Sequence, residues 1–185
     1  VLEGGRIAPG ETGLAQLVLD HAIGALAGDR FILRDQSARR TVAGGRIVDP
    51  FAPARGRSRP ARLGQLGALS HEDPVAALAG LVAAVPEGVD LDRFALARNL
   101  RADETAGVFD TVDMAVLETA DGPVGMAPDS HDRLLSNYTT ALAAWHDRQP
   151  DSLGPDADSL RRAVQPRVAD AVFAAITRSL LENEK

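Results

Sequence analysis

Cysteine is absent from the 185 residues. That excludes a disulfide framework and thiolate metal sites, and it fits a reducing, cytoplasmic setting. Lysine occurs once, at Lys185, so every other base is arginine. This preference reads first as a bias in nucleotide composition and only second as function. No apolar run approaches the length of a membrane span, so no membrane partner is expected. Nothing at the N-terminus resembles a signal peptide. The chain opens on Val1 instead of Met, which marks it as an expected piece of a longer protein. Apolar residues make up an ordinary 45%, enough for a globular chain of one medium domain or two to three small modules.

The net charge of −6 hides an asymmetry. Residues 1–62 carry ten arginines against six acids, a balance of +4. Residues 63–185 carry ten bases against twenty acids, a balance of −10. Such a division hints that the first part faces a polyanion and the second does not, although two solvated surfaces would give the same numbers.

The basic part reads as β. "LAQLVLD" (14–20), "RFILRD" (30–35) and "TVAGGRIVD" (41–49) alternate apolar and polar residues and predict strands. "APGETG" (8–13) and "DQSARR" (35–40) supply turn chemistry between them. Three or four strands without a helix predict an incomplete barrel or sandwich over residues 1–50. Prolines 50, 53 and 60 then keep residues 51–61 extended as a Pro/Arg-rich connector.

Beyond the connector the period becomes helical. Leu63, Leu66 and Leu69 share one side of a helix. Asp73-Pro74 reads as an N-cap followed by a first-turn proline. "DLDRFALARNL" (90–100) and "ADETAGVFDTV" (102–112) predict two more helices, and "AVLETADGPVGMAP" (115–128) a hairpin around Asp121-Gly122. Helices followed by a hairpin are the order of a winged helix, here 62–128. The helical order then restarts. Leu134, Leu135, Tyr138, Leu142 and Trp145 lie on one face of a long helix, a short helix carries "SLRRAV", and Pro166 opens a last one. Residues 129–185 read as a second winged helix without its wing, an internal repeat of architecture.

No catalytic constellation is present, so the chain itself is not expected to be an enzyme. A Walker A loop needs Gly-Lys, and the sole lysine is terminal. No dinucleotide fingerprint or nucleophile elbow occurs. His21, His71, His131 and His146 are scattered without metal-ligand spacing. Binding remains. A winged helix suggests DNA, and a winged-helix DNA-binding regulator is one reading. Its third helix here would be 102–113, whose Asp103, Glu104, Asp110 and Asp113 repel phosphate. A spacer, or a purely structural or protein-docking unit, is the other reading of these modules.

"GDRFILRD…RRTVAGGRIVDP" resembles the end of the third, β-barrel domain of elongation factors of the Tu type. "DLDRFALARNL" and "AAWHDRQPDSLGPDADSLRRAV" resemble the first and second winged modules of the bacterial selenocysteine-specific elongation factors. The resemblance implies a mixed β + α fold, a partial elongation-factor-Tu-like β-barrel followed by tandem winged helices. It implies a GTPase parent, with GTP and Mg bound outside this chain, that delivers selenocysteinyl-tRNA to the ribosome at UGA codons. It implies a messenger RNA hairpin gripped by modules this chain lacks. On that resemblance Arg39 and Arg40 face tRNA phosphates, and Arg34 and Arg46 on adjoining strands join them. Arg55, Arg57, Arg59 and Arg62 on the connector either touch RNA or the ribosome, or bind acids on the first winged module. Exposed strand edges of a part-barrel predict pairing between copies, a homo-oligomer.

Overall fold

Alternation of Phe31 and Leu33 with Arg30, Ile32 and Arg34 makes β1 (Arg30–Arg34) a strand with one half-buried and one exposed face in the computed structural model, which describes residues 1–183. It pairs antiparallel with β2 (Thr41–Arg46), with Arg30 opposite Arg46, Phe31 opposite Gly45 and Arg34 opposite Thr41. A register shift between Leu33 and Arg34 marks a bulge. Gly45 is required by its partner. A Cβ there would lie 2.7 Å from Phe31 Cζ, so only glycine lets the ring cross the strand.

The expected strand at 14–20 does not form. Residues 1–29 contain no strand, and Leu17, Val18, Leu19 and Ile23 are exposed. Alternation marks a residue set able to line a sheet, but a ladder also needs a neighbouring backbone, and no strand lies beside 14–20 among the described residues. The strand expected over 41–49 is correspondingly shorter, ending at Arg46.

The helical part follows the predicted order. α1 (Pro60–Leu69) has Pro60 at its first turn, a position where the missing N–H costs nothing. α2 (Pro74–Ala84) is capped by Asp73, whose carboxylate accepts from the N–H of Val75 and Ala76, 3.2 Å each. A two-residue strand, β3 (Val89–Asp90), leads into α3 (Leu91–Ala97) and α4 (Ala102–Thr111). Glu104 reaches back to the N–H of Arg101 at 2.9 Å, half of a capping box. β4 (Ala115–Thr119) and β5 (Gly122–Met126) form a hairpin in which Thr119 faces Gly122. Gly122 sits at φ +114°, the region that favours glycine, and Thr119 Oγ1 closes the turn on Gly122 O at 2.7 Å. The sheet order is β3-β5-β4. α5 (Pro128–Arg148), α6 (Ala157–Val164) and α7 (Asp170–Asn183) complete the chain. Asp156 caps α6 through Ser159 N at 2.9 Å. The Ser159 hydroxyl first, and that N–H after it, hold its carboxyl below the usual carboxylate range.

Two compact units result. One comprises residues 1–84 and 93–109, the other residues 85–92 and those from 110 onward. In the first, Leu66, Ala68, Ala77, Leu78 and Val82 are the buried residues of α1 and α2. In the second, Met126 at the end of β5 is fully buried in one cluster with Leu134 and Tyr138 of α5, Leu160 and Val164 of α6, and Val172, Phe173 and Ile176 of α7. The Tyr138 and Phe173 rings stack with centroids 5.5 Å apart. Leu117 and Val124 of the hairpin pack on the same cluster. The expected break between winged modules, 128/129, therefore falls inside a continuous core. The hairpin that follows α4 in the chain covers α5, α6 and α7.

Met126→Ala is expected to destabilise the chain by about 2–5 kcal/mol, because it empties a fully enclosed site. Leu153→Ala, at a fully exposed position, is expected to change stability by no more than about 0.5 kcal/mol. Urea denaturation of the two variants beside the parent checks both values.

Candidate nucleic-acid interface

The turn from Asp35 to Arg40 is built around one carboxylate. Asp35 Oδ1 accepts from Ser37 Oγ at 3.0 Å, from Arg39 N at 2.9 Å and from Arg40 N at 3.3 Å. The main chain closes the loop with Asp35 N to Arg40 O at 3.0 Å and Ala38 N to Asp35 O at 2.9 Å. Ala38 takes a left-handed conformation, φ 54°, and its carbonyl accepts from the Arg34 guanidinium at 3.2 Å. These N–H donors, the Arg40 amide foremost, hold the Asp35 carboxyl below its ordinary range. The turn is thus a network whose backbone is pinned while the side chains of Arg39 and Arg40 stay exposed. Among the described residues neither of those two guanidiniums has a hydrogen-bond or ion-pair partner.

Strand alternation adds the rest of the surface. Arg30, Ile32 and Arg34 occupy the exposed face of β1, and the register sets Arg46 directly across from Arg30. Like charges opposite each other destabilise a sheet. Here Glu72, in the loop between α1 and α2, hydrogen-bonds and ion-pairs with Arg46. The Arg46 bond, with added attraction from Arg30, lowers the Glu72 carboxyl from its ordinary range. The strand face therefore presents guanidiniums at Arg30, Arg34, Arg39, Arg40 and Arg46, with exposed Ile32 and Val42 among them. Guanidiniums beside apolar side chains suit phosphate together with sugar or base.

The sequence-predicted residues divide accordingly. Arg34, Arg39, Arg40 and Arg46 come together on the strand pair and its turn. Arg55 and Arg57 are exposed on the connector and make no side-chain hydrogen bond or ion pair among the described residues. Arg59 folds back on Gly56, so that a Cβ at Gly56 would lie 3.2 Å from its Nε. Arg62 is an internal tie. It ion-pairs with Asp49, each side chain only 13% exposed, and Asp49 also accepts from Phe51 N at 2.8 Å. Sequence reasoning missed Arg30 and Glu72. Counting back by two from Arg34 along the alternating strand would have found Arg30. No local signal marks Glu72.

The winged modules offer less to a polyanion. On α4, Asp103, Glu104 and Asp110 are exposed, and Arg101 is engaged by Asp103 at 3.3 Å and Glu104 at 3.4 Å. On the second module Arg161 is committed to Asp170, Nε to Oδ1 2.7 Å, although the N–H is not aligned on the carboxylate; it also donates to Val168 O at 3.3 Å. No group of three or more His, Asp or Glu is placed to hold a metal ion, and no helix is long and apolar enough to cross a membrane, among the described residues.

Fold and site together define a winged-helix chain preceded by an arginine-faced β-hairpin. Residues 3–54 match the family model described as the β-barrel domain of the selenocysteine-specific elongation factor, and residues 139–185 match the winged helix of elongation factor SelB. The chain is similar to the selenocysteine-specific elongation factor of Escherichia coli (strain K12), 31% identical over 180 residues, which is 97% of this chain and 28% of that protein. It is also similar to the selenocysteine-specific elongation factor of Desulfomicrobium baculatum, 28% identical over 154 residues, 80% of this chain and 24% of that protein. The chain belongs to the selenocysteine-specific elongation factor family. It spans about a quarter of the length of these relatives.

Proposed function

We propose that this chain takes part, in the cytoplasm, in GTP-dependent delivery of selenocysteinyl-tRNA to the ribosome at UGA codons. Its own share is non-catalytic. The β1–β2 hairpin contacts tRNA phosphates, and the winged helices form a spacer arm toward parts of the factor that grip the messenger RNA hairpin. The observation that carries this reading is the turn at 35–40, where Asp35 pins the main chain and leaves two adjacent guanidiniums without a partner among the described residues. With the main chain already pinned, only the side-chain rotamers remain to be ordered when either guanidinium meets a phosphate. Contacts of this kind position RNA without reading its sequence. The acidic exterior of α4 favours a spacer over a DNA-binding module, because a recognition helix lined with carboxylates is repelled by phosphate.

A second reading follows from the apolar exposure of the same unit. Val18, Ile23, Ile32 and Val42 are each more than 60% exposed, and the two-stranded sheet leaves an outer edge on each strand. Such edges invite another strand. We assign to them pairing with a second copy of the chain. Sedimentation velocity is expected to show concentration-dependent dimer, and a strict monomer at high micromolar concentration would remove this reading.

For the RNA contact, Arg39→Ala/Arg40→Ala is expected to weaken binding to selenocysteinyl-tRNA and to flatten the slope of log affinity against log salt by about one to two. Fluorescence anisotropy with labelled tRNA across a salt series measures both. Unchanged affinity and slope in the double variant would count against the hairpin as the RNA-facing element.

A further inference from the structure

The Arg30–Arg46 pair places two like charges directly across a two-stranded sheet, and such a pair calls for an anion. Glu72 supplies it from a loop that is itself fixed. Arg98 donates to three carbonyls there, to Leu69 O and His71 O at 2.9 Å each and to Glu72 O at 3.3 Å. Ser70 reinforces the end of α1 through Oγ to Gly67 O at 2.6 Å. The carboxylate is thus aimed at Arg46 by a braced backbone, twenty-six residues away in the chain. The contact is nevertheless open to solvent, with the side chains of Arg46 and Glu72 46% and 77% exposed. An exposed ion pair is worth little and exchanges readily for another anion. Arg39 and Arg40 on the same hairpin have no such partner among the described residues.

We propose that Glu72 is a built-in phosphate mimic, which occupies Arg46 and is displaced when an RNA phosphate settles on the β1–β2 face. This rests on the RNA-contact reading of the hairpin and adds a residue that sets its strength. Glu72 withholds one guanidinium from casual polyanions, so that only RNA already held by Arg39 and Arg40 gains the third contact. A carboxylate and a phosphate oxygen compete for the same fork of donors, so the exchange needs no rearrangement of the strand.

The test uses a duplex RNA of arbitrary sequence, because only phosphate is invoked. Glu72→Gln is expected to bind it about two- to fivefold more tightly and with a salt slope steeper by about one. Asp20→Asn makes the same change of net charge at an exposed position of the same unit and is expected to give a much smaller gain. Arg46→Ala is expected to cost little affinity in the parent chain and several-fold more in the Glu72→Gln background. Equal gains from Glu72→Gln and Asp20→Asn would overturn the proposal. So would a large loss from Arg46→Ala in the parent, which stands as a test even if Glu72→Gln folds poorly. A gain on duplex RNA alongside an inert Arg39→Ala/Arg40→Ala on selenocysteinyl-tRNA would leave the mask in place and remove the tRNA reading. Loss in the double variant without any effect at Glu72 would do the reverse.

Discussion

A two-stranded sheet has one ladder and two bare edges, and in water it is marginal on its own. The β1–β2 hairpin of this chain stands because a set of ties fastens it to helices. The arginine Arg98 is the centre of these ties. Its guanidinium gathers the carbonyls that end α1 and begin the next loop, groups that a helix terminus otherwise leaves without donors. It lies 5.3 Å over the Phe94 ring, and burial pushes its pKa down without threatening its charge. Beside it, Ala27 N donates to Ala97 O at 2.7 Å, and Ile47 exchanges hydrogen bonds with Gly28 and Asp29 at 2.8 Å each. Arg46–Glu72 ties the end of β2 to the loop between α1 and α2, and Arg62–Asp49 ties α1 to the chain that follows β2. Removing Arg98 would release the loop that carries Glu72. The surface charge of the hairpin depends on this half-buried cation.

The same logic separates the arginines by use. Those that return to the protein, Arg62 and Arg98, are partly buried and meet several acceptors or a carboxylate. Those at the turn, Arg39 and Arg40, are held only through their backbone. Arg46 stands between the two groups, paired yet exposed. In the second unit the decisive feature is apolar. Met126 joins the hairpin β4–β5 to the cluster of α5, α6 and α7, so the hairpin and these helices share one core.

Much of this was legible in the sequence where the signal is local. Asp73-Pro74 marked a cap that forms as read. Asp121-Gly122 marked a hairpin, and the alternation of Arg30 to Asp35 marked a strand. The family resemblance of 28–60 and 132–165 agrees with the matched family models. What was not legible depends on partners distant in sequence. The alternation at 14–20 is as good as that at 30–34, yet it lacks a neighbouring strand, and pattern alone does not supply one. Arg46 and Glu72 are exposed residues of ordinary type, and nothing in their surroundings announces that they meet. The shared core at Met126 was hidden because this residue ends β5 just before the expected break at 128/129, whereas burial is decided by what packs against it.

On the proposed function, RNA meets this chain on the hairpin and not on the winged helices. Amide spectra of the isotopically labelled chain during titration with selenocysteinyl-tRNA test it most directly. The largest shifts are expected between Arg34 and Arg46, centred on Arg39 and Arg40, with residues 102–113 unmoved. Shifts concentrated on α4, with a silent hairpin, would contradict it.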